Sequence, residues 1–523
     1  MIPKADLSAI AAQSSSLDIE APSKFDLPVD HDDRAQTINP FGLQPTAPKT
    51  RCKTRCSPLR RLLSCSRPHM RAFHVNWISF FLSFWLWFAF TSLLGSIQKT
   101  MGLTDSQVWI STCLNMASPA LSRLFVGPLL EWTGPRLAQV VILMATAVPV
   151  LLGGLADNFA ELCVVRFFIG ITGASFVCCQ VWATLMFSDN VLGAAQATVA
   201  GWGNMGASFS MLVMWEFNDR LVGSGVPEDR SWRYTLILPG AVALVWGGLL
   251  AFIADDAPRP DARVRVRDAS AVGRVSLAIN LSFIADDAPR PDARTLVRDA
   301  SAVGRVVIRK AATKGGNDPN SWYLALQYAA SFGIELHLYN SLTGYFNERF
   351  GVTPGRAILV TSLFGFFNVF ARPLGGVLSD KLGARMGPKG RLQGHAAMLL
   401  LEGALLAAFA AVGSLAAALV LLSLLSIAVQ AAEGLCFGVV PLVQPLASAT
   451  VSGVVAAGGS LGAAALAAAS ACGARTETVY GFAAGYVVLA AAVPALLINI
   501  RGHTTFGRPP RGLQAALDVP GAW

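Results

Sequence analysis

Apolar runs of helix length, separated by short polar intervals, fill the chain from about residue 73 to residue 500. Crossing about 30 Å of hydrocarbon takes about 20 helical residues. Runs of that size lie in the first half at about 73–97, 108–130, 137–155, 159–187, 192–215 and 232–253. The second half repeats them at about 322–346, 358–379, two within 396–440 with a break near Gly413-Ser414, 447–471 and 479–500. The pattern predicts an all-α polytopic membrane protein with twelve transmembrane helices in two six-helix bundles. The polar intervals set the expected divisions: a basic tail over 1–72, a first bundle over 73–253, a linker over 254–320, a second bundle over 321–500 and a tail over 501–523. A longer external loop is expected at 216–231.

Composition agrees. Of 523 residues, 53% are hydrophobic and 14% charged, against about 25% charged in soluble proteins. The net charge of +9 gathers in the turns after the second and eighth helices, the linker and both tails. Positive charge flanks the cytoplasmic ends of spans, so this distribution places both termini inside and does not argue for nucleic acid. No apolar core lies within residues 1–50, so no cleavable signal is expected. The tail is Pro/Ser-rich, and Cys52, Cys56 and Cys65 within it are candidates for acylation beside a cytoplasmic basic flank. The nine cysteines have no metal-ligand spacing. The linker carries a direct repeat, in which Phe252–Arg263 returns as Phe283–Arg294 and Arg267–Arg274 as Arg298–Arg305. The chain shows no nucleophile–base set and no phosphate loop, so neither an enzyme nor a cofactor is expected.

Two arginines break the apolar pattern at matching places. Arg123 precedes Gly127, Glu131, Gly134 and Arg136; Arg372 precedes Gly376, Asp380, Gly383 and Arg385. Both sets read Gly-x-x-x-acid-x-x-Gly-x-Arg. An arginine in a membrane span costs about 2.5–3.5 kcal/mol on insertion scales, so each is a functional candidate. One in each half suggests a duplicated transporter with a central anion site. The alternative is that each snorkels to the nearby interface or caps its turn. Glu131, Arg136, Asp380 and Arg385 are expected to form gate pairs, and Arg166 to join the first of them. Glu335 and Glu433, in apolar surroundings mid-span, are candidates for taking up and releasing a proton, with Glu402 a further one.

The paired turns resemble the major facilitator superfamily. More narrowly, residues 67–497 resemble the nitrate/nitrite porter family, most of all the high-affinity nitrate transporters of algae, plants and fungi. The resemblance is carried by His69-Met-Arg-Ala-Phe-His-Val-Asn-Trp-Ile-Ser-Phe-Phe81, Ala200-Gly-Trp-Gly-Asn-Met-Gly206, Trp232-Arg-Tyr234, Phe332-Gly-Ile-Glu-Leu336, Phe370-Ala-Arg-Pro-Leu-Gly-Gly376 and Gln430-Ala-Ala-Glu-Gly434. It implies a plasma-membrane nitrate importer, with nitrite as a further substrate, protons as the coupling ion and a small single-span accessory protein as partner. It also implies anion contacts from Arg123, Arg372, Phe176 and Tyr328, with Gly203, Asn204 and Gly206 in one signature run and Gly459, Ser460 and Gly462 in the other. On residue type alone these glycines read as helix-packing positions. The chain departs from the family pattern at Ser460, where asparagine is favoured. A nitrate/nitrite exchanger, and a nitrate sensor or inactive relative, remain as alternatives.

Overall fold

The computed structural model describes residues 69–187, 191–254, 313–444, 447–500 and 502–506. Residues 1–68 with their cysteines, the linker repeat beyond residue 254 and the residues after 506 lie outside the described residues. Among the described residues twelve helical spans follow one another: α1 (His69–Phe88), α2 (Asp105–Thr133), α3 (Pro135–Leu152), α4 (Phe159–Gly170 and Ser175–Met186), α5 (Leu192–Gly223) and α6 (Ile237–Ile253) in the first half. The second half holds α7 (Pro319–Phe350), α8 (Pro354–Phe366 and the front of Ala371–Ala411), α9 (the rest of that stretch), α10 (Leu415–Phe437), α11 (Ser448–Ala471) and α12 (Thr476–Leu497). Six spans fall in each half, as the apolar pattern predicts.

Local chemistry sets the boundaries. Thr104 opens α2 with a capping box, its hydroxyl accepting from the Gln107 N–H while the Gln107 side chain accepts from the Thr104 N–H. Gly134 ends α2 at φ 78°, and Pro135 starts α3. Gly387, at φ 62° and ψ −156°, is the non-helical residue where α8 passes into α9. A left-handed backbone suits glycine at both junctions.

Among the described residues, eight helical stretches are long and apolar enough to cross a membrane, one of them containing both α8 and α9. The three remaining spans, α2, α5 and α7, have their apolarity diluted by polar residues that point inward. Asn115 and Arg123 of α2, Gln196 and Asn204 of α5, and Gln327 and Glu335 of α7 are all buried. Large apolar side chains such as Phe125, Phe252 and Phe482 face outward instead, as a lipid-facing surface requires.

The bundles meet along two seams, α2 against α11 and α5 against α8. Small residues let backbones touch there. A Cβ on Gly127 would stand 2.7 Å from the Ala449 carbonyl oxygen, and one on Gly453 would stand 2.5 Å from that of Arg123. The α2–α11 seam is closed at its other end too, where the Ser106 hydroxyl donates to the Ala471 carbonyl at 2.8 Å.

Three expectations are corrected. The loop at 216–231 is mostly helix, because α5 continues to Gly223 and a short helix covers Glu228–Thr235. An i,i+4 pair, Arg220 to Glu216 at 2.7 Å, lies on the extension; apolarity marks only the membrane-embedded part of a helix. The basic interval 380–391 is helical except around Gly387. The last helix stops at Leu497 and gives way to a small hairpin of β1 (Asn499–Ile500) and β2 (His503–Thr504).

Candidate functional site

Arg123 and Arg372 are both buried, on α2 and α8. Their guanidinium carbons lie 5.6 and 5.4 Å from the centroid of the same ring, Phe176 of α4. That ring belongs to a stack with Tyr328 and Phe332 of α7, all three within 19° of parallel. Phe437 of α10 meets Phe176 edge-on at 4.8 Å. Gly459 of α11 packs against the Tyr328 and Phe332 rings, where a Cβ would come within 2.9 Å. The structure therefore brings Arg123, Arg372, Phe176, Tyr328 and Gly459 together between the halves.

The two arginines are balanced differently. Arg123 donates from Nε to the Gly173 carbonyl at 2.9 Å, and from Nη1 to the Ala456 carbonyl and the Ser460 hydroxyl, each at 2.7 Å. All three of these partners are neutral, its charge also faces the rings of Trp87 and Phe332, and its Nη2 has no hydrogen-bond partner. Arg372 instead forms a buried ion pair with Glu433 of α10 and donates to the Tyr328 hydroxyl at 2.8 Å. Neither arginine snorkels.

Glu335, Glu402 and Glu433 are the buried acids among the described side chains, and all three belong to the second bundle. Glu335 accepts from the amides of Asn204 and Asn368. Asn204 thus turns toward Glu335 and not toward the arginines. Gly203 and Gly206 stand against α1, at the Phe80 ring and the Phe81 carbonyl. Gly462 stands against Ala329 of α7. Those three glycines occupy helix-packing positions.

At the gate, Asp380 pairs with Arg391 at 2.9 Å. It also accepts from the N–H groups of Gly193 and Ala194 at 3.3 and 2.8 Å, capping the start of α5 across the bundle boundary. Arg385, the expected partner, is exposed. Arg136 donates to the Ala254 carbonyl at 3.3 Å within its own bundle, and the Glu131 side chain lies outside the described residues. Arg166 is another correction. It reaches the Ser111 and Thr112 hydroxyls near the start of α2, far along the helix from Glu131.

The expectations missed Asn368, Arg391, Trp87 and Phe437. A polar Asn368 five positions before the Pro373 that follows Arg372 was visible as an unusual residue in an apolar run, but its partner is on another helix.

Comparison with known proteins follows the same lines. The model of the Major Facilitator Superfamily matches residues 77–467. High affinity nitrate transporter 2.7 of Arabidopsis thaliana is 32% identical, over 84% of this chain and 80% of its own. Nitrate transporter 2.2 of Chlamydomonas reinhardtii is 33% identical, over 76% and 72%. The nitrate/nitrite transporter NrtP of a Picosynechococcus strain is 29% identical, over 75% and 82%. Among solved structures, a bacterial homologue of the human lysosomal transporter Spinster shares the fold with a TM-score of 0.55 at 16% identity, over 82% of this chain and 97% of that one. The chain therefore belongs to the major facilitator superfamily, within the family of the high-affinity nitrate transporters, and is a multi-pass membrane transporter and not an enzyme.

Proposed function

We propose that the protein imports nitrate, with nitrite as a further substrate, by proton-coupled symport across the plasma membrane, both termini facing the cytoplasm. The observation that carries this reading is a pair of buried guanidiniums from opposite halves flanking one aromatic ring, only one of them paired to an acid. Nitrate is planar and singly charged. A guanidinium is planar too and offers parallel N–H donors that can hold two oxygens at once. Arg123 keeps a donor free for it, and the Phe176 and Tyr328 rings offer flat faces.

Coupling follows from competition. A charged Glu433 and a nitrate ion compete for the Arg372 guanidinium. A proton on Glu433 removes the competitor, so proton and anion favour each other's binding by linkage. Moving an anion into a negative cell is uphill by about 2.3 kcal/mol per charge per 100 mV. More than one proton must accompany it, and Glu335 is the second candidate carrier. Bundle seams closed at both ends support a cycle in which the halves rock about an enclosed site.

The test is nitrate-evoked current in voltage-clamped oocytes at acid external pH, with and without a single-span accessory protein of the kind the family resemblance implies. Symport predicts a depolarising inward current that disappears in Arg123→Ala and in Arg372→Ala. Labelled-nitrate uptake without current would replace symport by exchange. Surface protein with neither current nor uptake would sink the importer reading.

A further inference from the structure

Glu335 has hydrogen-bond partners from both halves of the protein. Asn204 Nδ2 of α5 donates to Oε2 at 3.1 Å, and Asn368 Nδ2, on the tight turn Phe367–Val369 that interrupts α8, donates to Oε1 at 2.6 Å. By contrast Glu433 pairs within its own bundle, and Glu402 has no hydrogen-bond partner. The two amides reach one carboxyl because α5 and α8 touch: a Cβ on Gly201 would stand 2.5 Å from the Asn368 carbonyl oxygen. All three side chains are fully buried, and the Oδ1 atoms of both asparagines have no partner. The ionisable groups that act on Glu335 are Glu433 on α10, whose carboxyl is in side-chain hydrogen-bond contact with it, and Arg372 on α8, Glu402 on α9 and Tyr339 on its own helix through charge; α5 offers it the neutral Asn204.

An amide is both donor and acceptor, and a half-turn of its terminal group exchanges the two. A charged carboxylate accepts from both N–H groups, as the structure has it. When a proton from water joins a Glu335 oxygen, the new O–H needs an acceptor. Glu433 is in contact but its carboxylate is engaged by Arg372, and an amide turning over supplies an idle oxygen. Either state of Glu335 is then fully hydrogen-bonded in the closed seam, where a bare polar atom is costly.

We propose that Asn204 and Asn368 are positioning residues that take the place of water around Glu335 when the halves close, so that the carrier closes with Glu335 either charged or neutral. The proposal rests on the proton-symport reading. A symporter must close twice in each cycle, once loaded with proton and anion and once empty. The empty return closes around a charged Glu335, and this is the step that needs both N–H donors.

The experiment reconstitutes the full chain in vesicles and measures two rates with labelled nitrate: acid-driven net accumulation, which needs the empty return, and nitrate counterflow, which does not. In Asn204→Leu and Asn368→Leu, net accumulation falls at least about tenfold while counterflow stays within about threefold of the unmutated protein. In Asn204→Asp two acids face each other and must share a proton, so counterflow survives only at acid pH. Adding Glu335→Gln to Asn204→Asp sets an amide opposite a carboxylate again, and counterflow returns at neutral pH. Monodisperse elution and an unchanged melting temperature check the fold of each variant. The clamp is overturned if the leucine variants lose both rates equally, if they lose neither, or if the exchanged pair is no better than Asn204→Asp. Counterflow without acid-driven accumulation in the unmutated protein sinks the symport reading instead, and the coupling role of the clamp falls with it. A missing split in variants of a protein that does accumulate nitrate sinks the clamp alone.

Discussion

Arg123 has neutral hydrogen-bond partners and aromatic faces, whereas Arg372 has a carboxylate. The difference separates their variants. Replacing Arg123 with lysine removes a planar fork that reaches α4 and α11 together, and a point charge cannot reproduce it. Arg123→Lys should weaken nitrate binding by at least about tenfold, read from the concentration dependence of uptake. Glu433→Gln leaves Arg372 permanently without its competitor. It should preserve nitrate counterflow and abolish acid-driven accumulation, measured in the same vesicles. Both arginines were legible in the sequence because a cation in an apolar run has few ordinary explanations. Asn368 and Arg391 were not, because what gives them a role is a partner on another helix. Arg166 shows the same limit in reverse: proximity along the chain suggested a gate network, while the fold turns its side chain to Ser111 and Thr112.

Helices α2, α5 and α7 carry buried polar side chains, and α5 also packs its glycines directly against α1. Gly206 stands so close to the Phe81 carbonyl that a Cβ has no room, and backbone cannot yield as a flexible side chain can. Gly206→Ala should lower stability by about 1–3 kcal/mol, seen as a reduced melting temperature of the detergent-solubilised protein, with Gly248→Ala, whose Cβ would meet nothing, as the neutral control. The number and order of the spans were legible, since hydropathy reports what must sit in lipid. The helical extension to Gly223, the break at Phe367–Val369 and the closing hairpin were not. Charged helical turns outside the bilayer and tight turns inside it leave the apolar pattern nearly unchanged.

The two bundles are tied near the start of α5 by Asp380, which holds Arg391 and two backbone N–H groups at once. Asp380→Ala strands all three. Nitrate uptake should fall several-fold while surface expression holds, as biotinylation would report. The duplicated turn motif announced a twofold protein, but not how unevenly the halves share the work. All the buried acids found among the described side chains sit in the second half, and the arginine without a carboxylate sits in the first. The two halves each hold a buried arginine at the matching place, and they differ in whether an acid accompanies it. A hybrid joining the first half of this protein to the second half of a relative should inherit its pH dependence from the relative, which makes proton use a trait carried by one half and separable by recombination.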